Sequence, residues 1–113
     1  PWISENAVAF DPGTPDSLWS PELARVLGGA RLIGVGEATH GSHEDGAAKA
    51  AIIKGLVTSG AVDTVILEVN ANGGRELDAF IRGETGDPAE RVRTANIFRV
   101  NKTSALADLI GWL

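Results

Sequence analysis

The chain has 113 residues, which predicts a single domain with a modest hydrophobic core. Its net charge of -5, with ten scattered basic residues and no basic stripe beside aromatics, argues against a nucleic-acid partner. The absence of cysteine excludes disulfides and thiolate sites, and no apolar run is long enough to span a membrane. We therefore expect a cytoplasmic protein that acts away from membranes.

The first predicted helix follows a lead-in without clear periodicity. Residues 1–19 contain several prolines and are expected to be irregular, with at most a short helical turn. Ser20 then supplies an N-cap, Pro21 suits the first helical position, and Gly28 with Gly29 ends the helix 21–27. We take 20–113 as the folded domain.

Two apolar runs with a helix between them predict a βαβ unit. Residues 31–36 and 63–70 are short, apolar and bounded by turn residues, which is typical of buried strands. The helix 44–59 between them has Ser42 as its N-cap and carries apolar residues around much of its circumference. Asp45 and Lys49 are four residues apart and are expected to pair on its surface. The predicted fold is therefore α/β, with parallel strands and a right-handed crossover.

Three further helices are predicted over 73–82, 87–95 and 104–113. Two strands are too few for a stable parallel sheet, which needs neighbours and cover on both faces. The chain also stops within an apolar helix that lacks a C-terminal signal. We expect a larger α/β domain, with a missing C-terminal region or a partner chain completing the sheet.

Polar side chains follow both predicted strands at the edge where ligands bind in parallel sheets. The expected shared pocket contains a set of acids and histidines: Glu37, His40, His43, Glu44 and Glu68. A histidine there can take a proton from water, and a neighbouring carboxylate can orient its ring. Taken singly, each residue also has an ordinary explanation as a solvated loop residue or as a charge favoured at a helix N-terminus. Glu68 is the hardest to explain in this ordinary way, because it lies in an apolar run where an unpaired carboxylate is costly to bury.

The string Gly34-Val35-Gly36-Glu37-Ala38-Thr39-His40-Gly41 resembles the signature of the erythromycin esterase family. The resemblance extends to the end of the chain through several further positions: Glu44, Lys49, Glu68, Phe80-Ile81-Arg82-Gly83, Gly86-Asp87-Pro88, Asn101-Lys102-Thr103 and Trp112. The resemblance implies an enzyme with an α/β fold that hydrolyses an ester. In macrolide-resistance members this ester is the lactone ring of the antibiotic.

The resemblance also implies roles for individual residues. His40 would act as general base on a water molecule, without an obligatory metal or cofactor, while Glu37 and Glu68 shape the catalytic site. We expect His43 and Glu44 to contact the substrate, a small-molecule ester or lactone. His43 stands where the family usually has arginine, so an ester or amide other than a macrolactone is also open. The family draws further catalytic residues from a C-terminal region, so this chain alone is expected to be weak or inactive.

Two other functions are consistent with the same residues. His40, His43, Glu37, Glu44 and Glu68 are acceptable ligands for zinc or manganese, which would make the chain a metal-binding module or a metal-dependent hydrolase. A dinucleotide site is a weaker alternative. Gly34 and Gly36 follow a predicted strand, but Thr39 stands where the third glycine of that motif belongs.

Overall fold

The computed structural model describes residues 1–7, 9–11 and 13–113, so Val8 and Pro12 of the predicted lead-in lie outside the described residues. The described residues form six α-helices and two short 3₁₀ turns, Pro15–Leu18 and Arg99–Asn101. The α-helices are α1 Trp2–Asn6, α2 Pro21–Leu27, α3 His43–Thr58, α4 Ala71–Ile81, α5 Pro88–Thr94 and α6 Ser104–Trp112. In the part of the chain described, no helix is both long and apolar enough to cross a membrane.

The helices begin where the sequence places their caps. Ser20 Oγ accepts a hydrogen bond from the backbone N–H of Leu23 at the start of α2, and Ser42 Oγ accepts one from that of Asp45 in α3. Asn70, Asp87 and Thr103 cap α4, α5 and α6 in the same way, whereas α1 has no side-chain cap. These bonds satisfy donors that have no partner within the helix. The predicted helix positions are thus confirmed, with ends displaced by two residues at most.

The predicted α/β fold is wrong, because the described residues contain no strand and no sheet. Backbone hydrogen bonds among them do not join the two runs predicted as strands. We call residues 32–36 and 64–69, which lie within these two runs, the two cavity segments. Parallel strands are stable when neighbours pair with both edges and helices cover both faces. Here Leu32 and Ile66 are 87% and 85% exposed, so one side of each segment lies open and no ladder forms.

The hydrophobic core lies where α4, α5 and α6 pack together. Leu77 of α4 and Ile110 of α6 are each only 1% exposed. The buried cluster also includes Val92, Ala95, Ile97 and Ala107. Leu67 and Val69, from the second cavity segment, pack against its edge. This buried cluster therefore comes from the second half of the chain, mostly from its helices.

Helix α3 packs against α6 and against the first 3₁₀ turn, Pro15–Leu18. Small residues on α3 allow this close approach. Gly55 is covered by the ring of Trp19, and a Cβ added at Gly46 would lie 3.1 Å from Cβ of Ala105 in α6. This packing places the N-terminal part of α3 beside the two cavity segments.

Candidate functional site

A cavity of about 480 Å³ lies between the two cavity segments on one side and helices α3 and α6 on the other. Most of its wall is apolar and comes from Ile33, Val35, Val65, Leu67, Leu106 and Leu109. Its polar wall contains Glu37, His40, Lys49 and Glu68. The two predicted strand ends thus reach one cavity, although no sheet brings them together.

Three of these polar side chains form a hydrogen-bonded chain. Glu37 Oε1 lies 2.5 Å from His40 Nδ1, and its other carboxylate oxygen accepts a hydrogen bond from Nζ of Lys49. Lys49 lies in the second turn of α3, so it approaches the loop from the helix side. Lys49 therefore pairs with Glu37 and not, as the four-residue spacing predicts, with Asp45.

The charge on Glu37 determines which ring nitrogen of His40 can accept a proton. The hydrogen bond from Lys49, and next the one from His40, hold the pKa of the Glu37 carboxyl below its ordinary value. An ionised carboxylate only accepts hydrogen bonds, so Nδ1 of His40 must be the donor. In the neutral ring, Nε2 then carries the lone pair and can accept a proton.

The loop that carries the site turns sharply before α3. Gly41 has a φ of 82°, a conformation that residues with a Cβ rarely adopt. This turn lets Ser42 cap α3, which begins three residues after His40. Gly41 and Ser42 both line the cavity. The N-terminus of α3 therefore stands at the cavity wall, where its dipole favours negative charge.

Glu68 lines the same cavity from the second cavity segment. Its backbone carbonyl accepts a hydrogen bond of 2.8 Å from Nδ2 of Asn101, a contact across 33 residues of sequence. A second void of about 400 Å³ beside it is shared by His40, Glu68 and the residues 98–101. Glu68 is exposed, so its place in the apolar run does not bury its carboxylate, and the cost expected of such burial does not arise.

His43 and Glu44 lie in the first turn of α3 and do not line either void. Both are exposed, and a carboxylate oxygen of Glu44 accepts a hydrogen bond of 3.2 Å from Ser42 Oγ. Of the five residues expected in one pocket, the structure thus brings together Glu37, His40 and Glu68. Across the described ranges, no three acids, histidines or cysteines come together as a group able to hold a metal ion.

Sequence reasoning missed the turn Arg99–Asn101, which adds Arg99 and Asn101 to the wall beside His40 and Glu68. Nothing in their local spacing indicates this position, because it follows from packing between distant segments. The role of Lys49 at Glu37 was missed for the same reason.

Comparison with known proteins adds no relative. No family model, curated protein or solved structure matches this chain. The resemblance to the erythromycin esterase family therefore stays a prediction from the sequence.

Proposed function

We propose that this chain carries a hydrolytic site in which His40 is the general base for ester hydrolysis, as in the erythromycin esterase family it resembles. The observation that supports this most is the chain Lys49–Glu37–His40, which ends on a free imidazole nitrogen at a cavity. A histidine oriented by a carboxylate is a recurring arrangement for moving protons in acyl transfer.

The proposed reaction uses the residues in a simple order. Nε2 of His40 takes a proton from water as the water oxygen attacks the ester carbonyl. Glu37 stabilises the resulting imidazolium through its hydrogen bond to Nδ1. The intermediate collapses when the bond to the alcohol oxygen breaks, and the imidazolium returns the proton to that oxygen. Positioned proton transfer of this kind contributes about 10²- to 10⁴-fold in rate.

The cavity supports a small ester or lactone as the proposed class of substrate. Ligand pockets commonly enclose roughly 300 to 1,000 Å³, and the cavity here falls in that range. Its apolar wall suits the hydrocarbon part of an ester or lactone, while the polar wall receives the reacting group. A macrolactone is one candidate, and another ester is equally compatible. We also propose a cytoplasmic location, since a chain without cysteine needs no oxidising compartment.

The experiment compares the two histidines of the chain. Turnover of p-nitrophenyl butyrate is measured for the wild type, His40→Ala and His43→Ala, with each protein checked for its helical circular dichroism. We expect slow turnover by the wild type. It should fall about 10²-fold or more in His40→Ala. His43→Ala should retain wild-type turnover, since His43 lies outside the cavity.

Two outcomes would contradict the proposal. One is wild-type turnover no faster than the buffer reaction, and the other is equal turnover by wild type and a folded His40→Ala protein. A repeat of the assay in EDTA addresses the alternative of a metal-dependent hydrolase. Turnover that persists in EDTA supports His40 acting on water without a metal, whereas loss that zinc or manganese restores favours the metal alternative.

A further inference from the structure

We infer that Arg99 binds a carboxylate group on the substrate, so that the preferred esters are monoanions. This inference rests on the proposed esterase function and names its substrate class. It begins from the second void, of about 400 Å³, in which Arg99, His40 and Glu68 share a wall. An ester whose carbonyl lies at His40 would extend a short acidic arm along this wall towards Arg99.

The position of Arg99 is set by its neighbours in the turn Arg99–Asn101. The hydrogen bond from Asn101 Nδ2 to the carbonyl oxygen of Glu68 ties this turn to the second cavity segment. The backbone N–H groups of Asn101 and Lys102 also bond within the turn, to Phe98 and Arg99 respectively. The guanidinium is therefore carried by a backbone that is held next to the site.

Three arginines at the end of α4 and in α5 are held in ion pairs. Arg82 pairs with Asp78, Arg91 with Glu84, and Arg93 with Glu90. In the part of the chain that the structure describes, Arg99 makes no ion pair with a carboxylate, and neither do Arg25, Arg31 and Arg75. Among these four, Arg99 is the one that lines the second void beside His40. A guanidinium with its fork of donors unoccupied is well suited to bind a carboxylate.

The residues around Arg99 further restrict the class of ligand that can bind there. Phe98 and Val100 are 55% and 46% exposed, and they offer apolar contact to the carbon chain of an acyl group. Glu68 lines the same void, and its repulsion of a bound anion increases with the charge of that anion. A single carboxylate is therefore favoured over a doubly charged group such as a phosphate.

The test uses two methyl esters that differ in one charge. Monomethyl succinate and dimethyl succinate are titrated into the ¹⁵N-labelled chain, and amide shifts of residues 98–101 report binding. The same samples report methanol release. The variants are Arg99→Gln and, as the matched control, Arg25→Gln, which removes an exposed arginine of α2 outside both voids.

We expect the monoester to shift the amides of residues 98–101 saturably and to bind more tightly than the diester. Arg99→Gln should weaken monoester binding by about three- to fivefold, as expected for an exposed charge pair, and leave diester binding unchanged. Arg25→Gln should behave as the wild type.

Equal binding of the two esters, or monoester binding that survives Arg99→Gln unchanged, would overturn the inference. The absence of saturable shifts at residues 98–101 with either ester would overturn it as well. Arg99-dependent binding without methanol release supports the anion site but contradicts the proposed esterase function, so the two failures are distinguishable.

Discussion

Two regions of this molecule, the α4–α6 core and the two cavity segments, have similarly apolar sequences but bury their side chains to different extents. In the α4–α6 core, apolar side chains at helical spacing are enclosed, and Ile110 is 1% exposed. In the two cavity segments, equally apolar residues lie half-buried or open, and Ile66 is 85% exposed. Glu37, His40 and Glu68 line the cavity beside these segments.

The difference shows what each kind of segment needs in order to be stable. A helix satisfies its backbone hydrogen bonds within itself and needs packing on one face only. A strand satisfies its hydrogen bonds through its neighbours, so two short runs cannot complete a sheet by themselves. The open backbone that results leaves room for a cavity beside α3 and α6.

The sharpest test of this comparison removes the same group from each region. Ile110→Ala creates a hole in the core and should lower the free energy of unfolding by about 2 to 5 kcal/mol. Ile66→Ala should change it by no more than about 0.5 kcal/mol, since the side chain is already in solvent. Urea unfolding followed by circular dichroism measures both. A large loss for Ile66→Ala would mean that the cavity segments are covered in solution, and the comparison would fail.

Two adjacent glycines of α4 test how tightly the core is closed. A Cβ at Gly73 would overlap the backbone of Asn96 and the side chain of Ile97, whereas one at Gly74 would lie 3.5 Å from Cγ2 of Val69. Gly73→Ala should therefore destabilise by about 1 to 3 kcal/mol. Gly74→Ala should stabilise by roughly 0.5 to 1 kcal/mol, because alanine loses less backbone entropy in a helix. Thermal unfolding of both variants gives the sign, and equal effects would contradict this packing.

Asn101 links the turn Arg99–Asn101 to the second cavity segment. Its replacement should change the free energy of unfolding by less than the core substitutions do. Asn101→Ala removes the hydrogen bond to the carbonyl of Glu68 and should cost about 1 kcal/mol of unfolding free energy. Amide shifts of residues 64–69 should also change, because the turn no longer holds that segment. Asn72→Ala, which removes an exposed contact to Arg75 within α4, is the control and should leave those shifts unchanged. Unchanged shifts in both variants would argue against the link.

The pH dependence of stability tests the electrostatics around the cavity and is expected to be the smallest effect. The pKa of Glu37 is lowered from 4.5 on folding, chiefly by its hydrogen bond from Lys49. Its stabilising contribution is therefore complete above that value and is lost as the pH falls through the lower, folded pKa. The difference in urea midpoint between wild type and Glu37→Gln should be present at neutral pH and shrink in acid. A difference that stays the same down to pH 2 would contradict the pairing.

The candidate site was predictable only in part from local pattern. Glu37, His40 and Glu68 stand out in the sequence because acids and a histidine directly follow apolar runs, and all three line one cavity. His43 and Glu44 are as close in sequence to His40 but point elsewhere, because the capped start of α3 carries them away from the voids. Arg99 and Asn101 give no local signal, since their place depends on a contact across 33 residues.

What the sequence by itself determined is the set of helices and their ends. Caps such as Ser20, Ser42 and Asp87 act on a residue three positions away, so they can be recognised from the local sequence. The tertiary structure alone decided that residues 32–36 and 64–69 stay outside any sheet, and that Lys49 turns to Glu37 instead of Asp45. Hydrogen-bond ladders, burial and ion pairs all depend on which distant segment becomes a neighbour, and local periodicity carries no information about that.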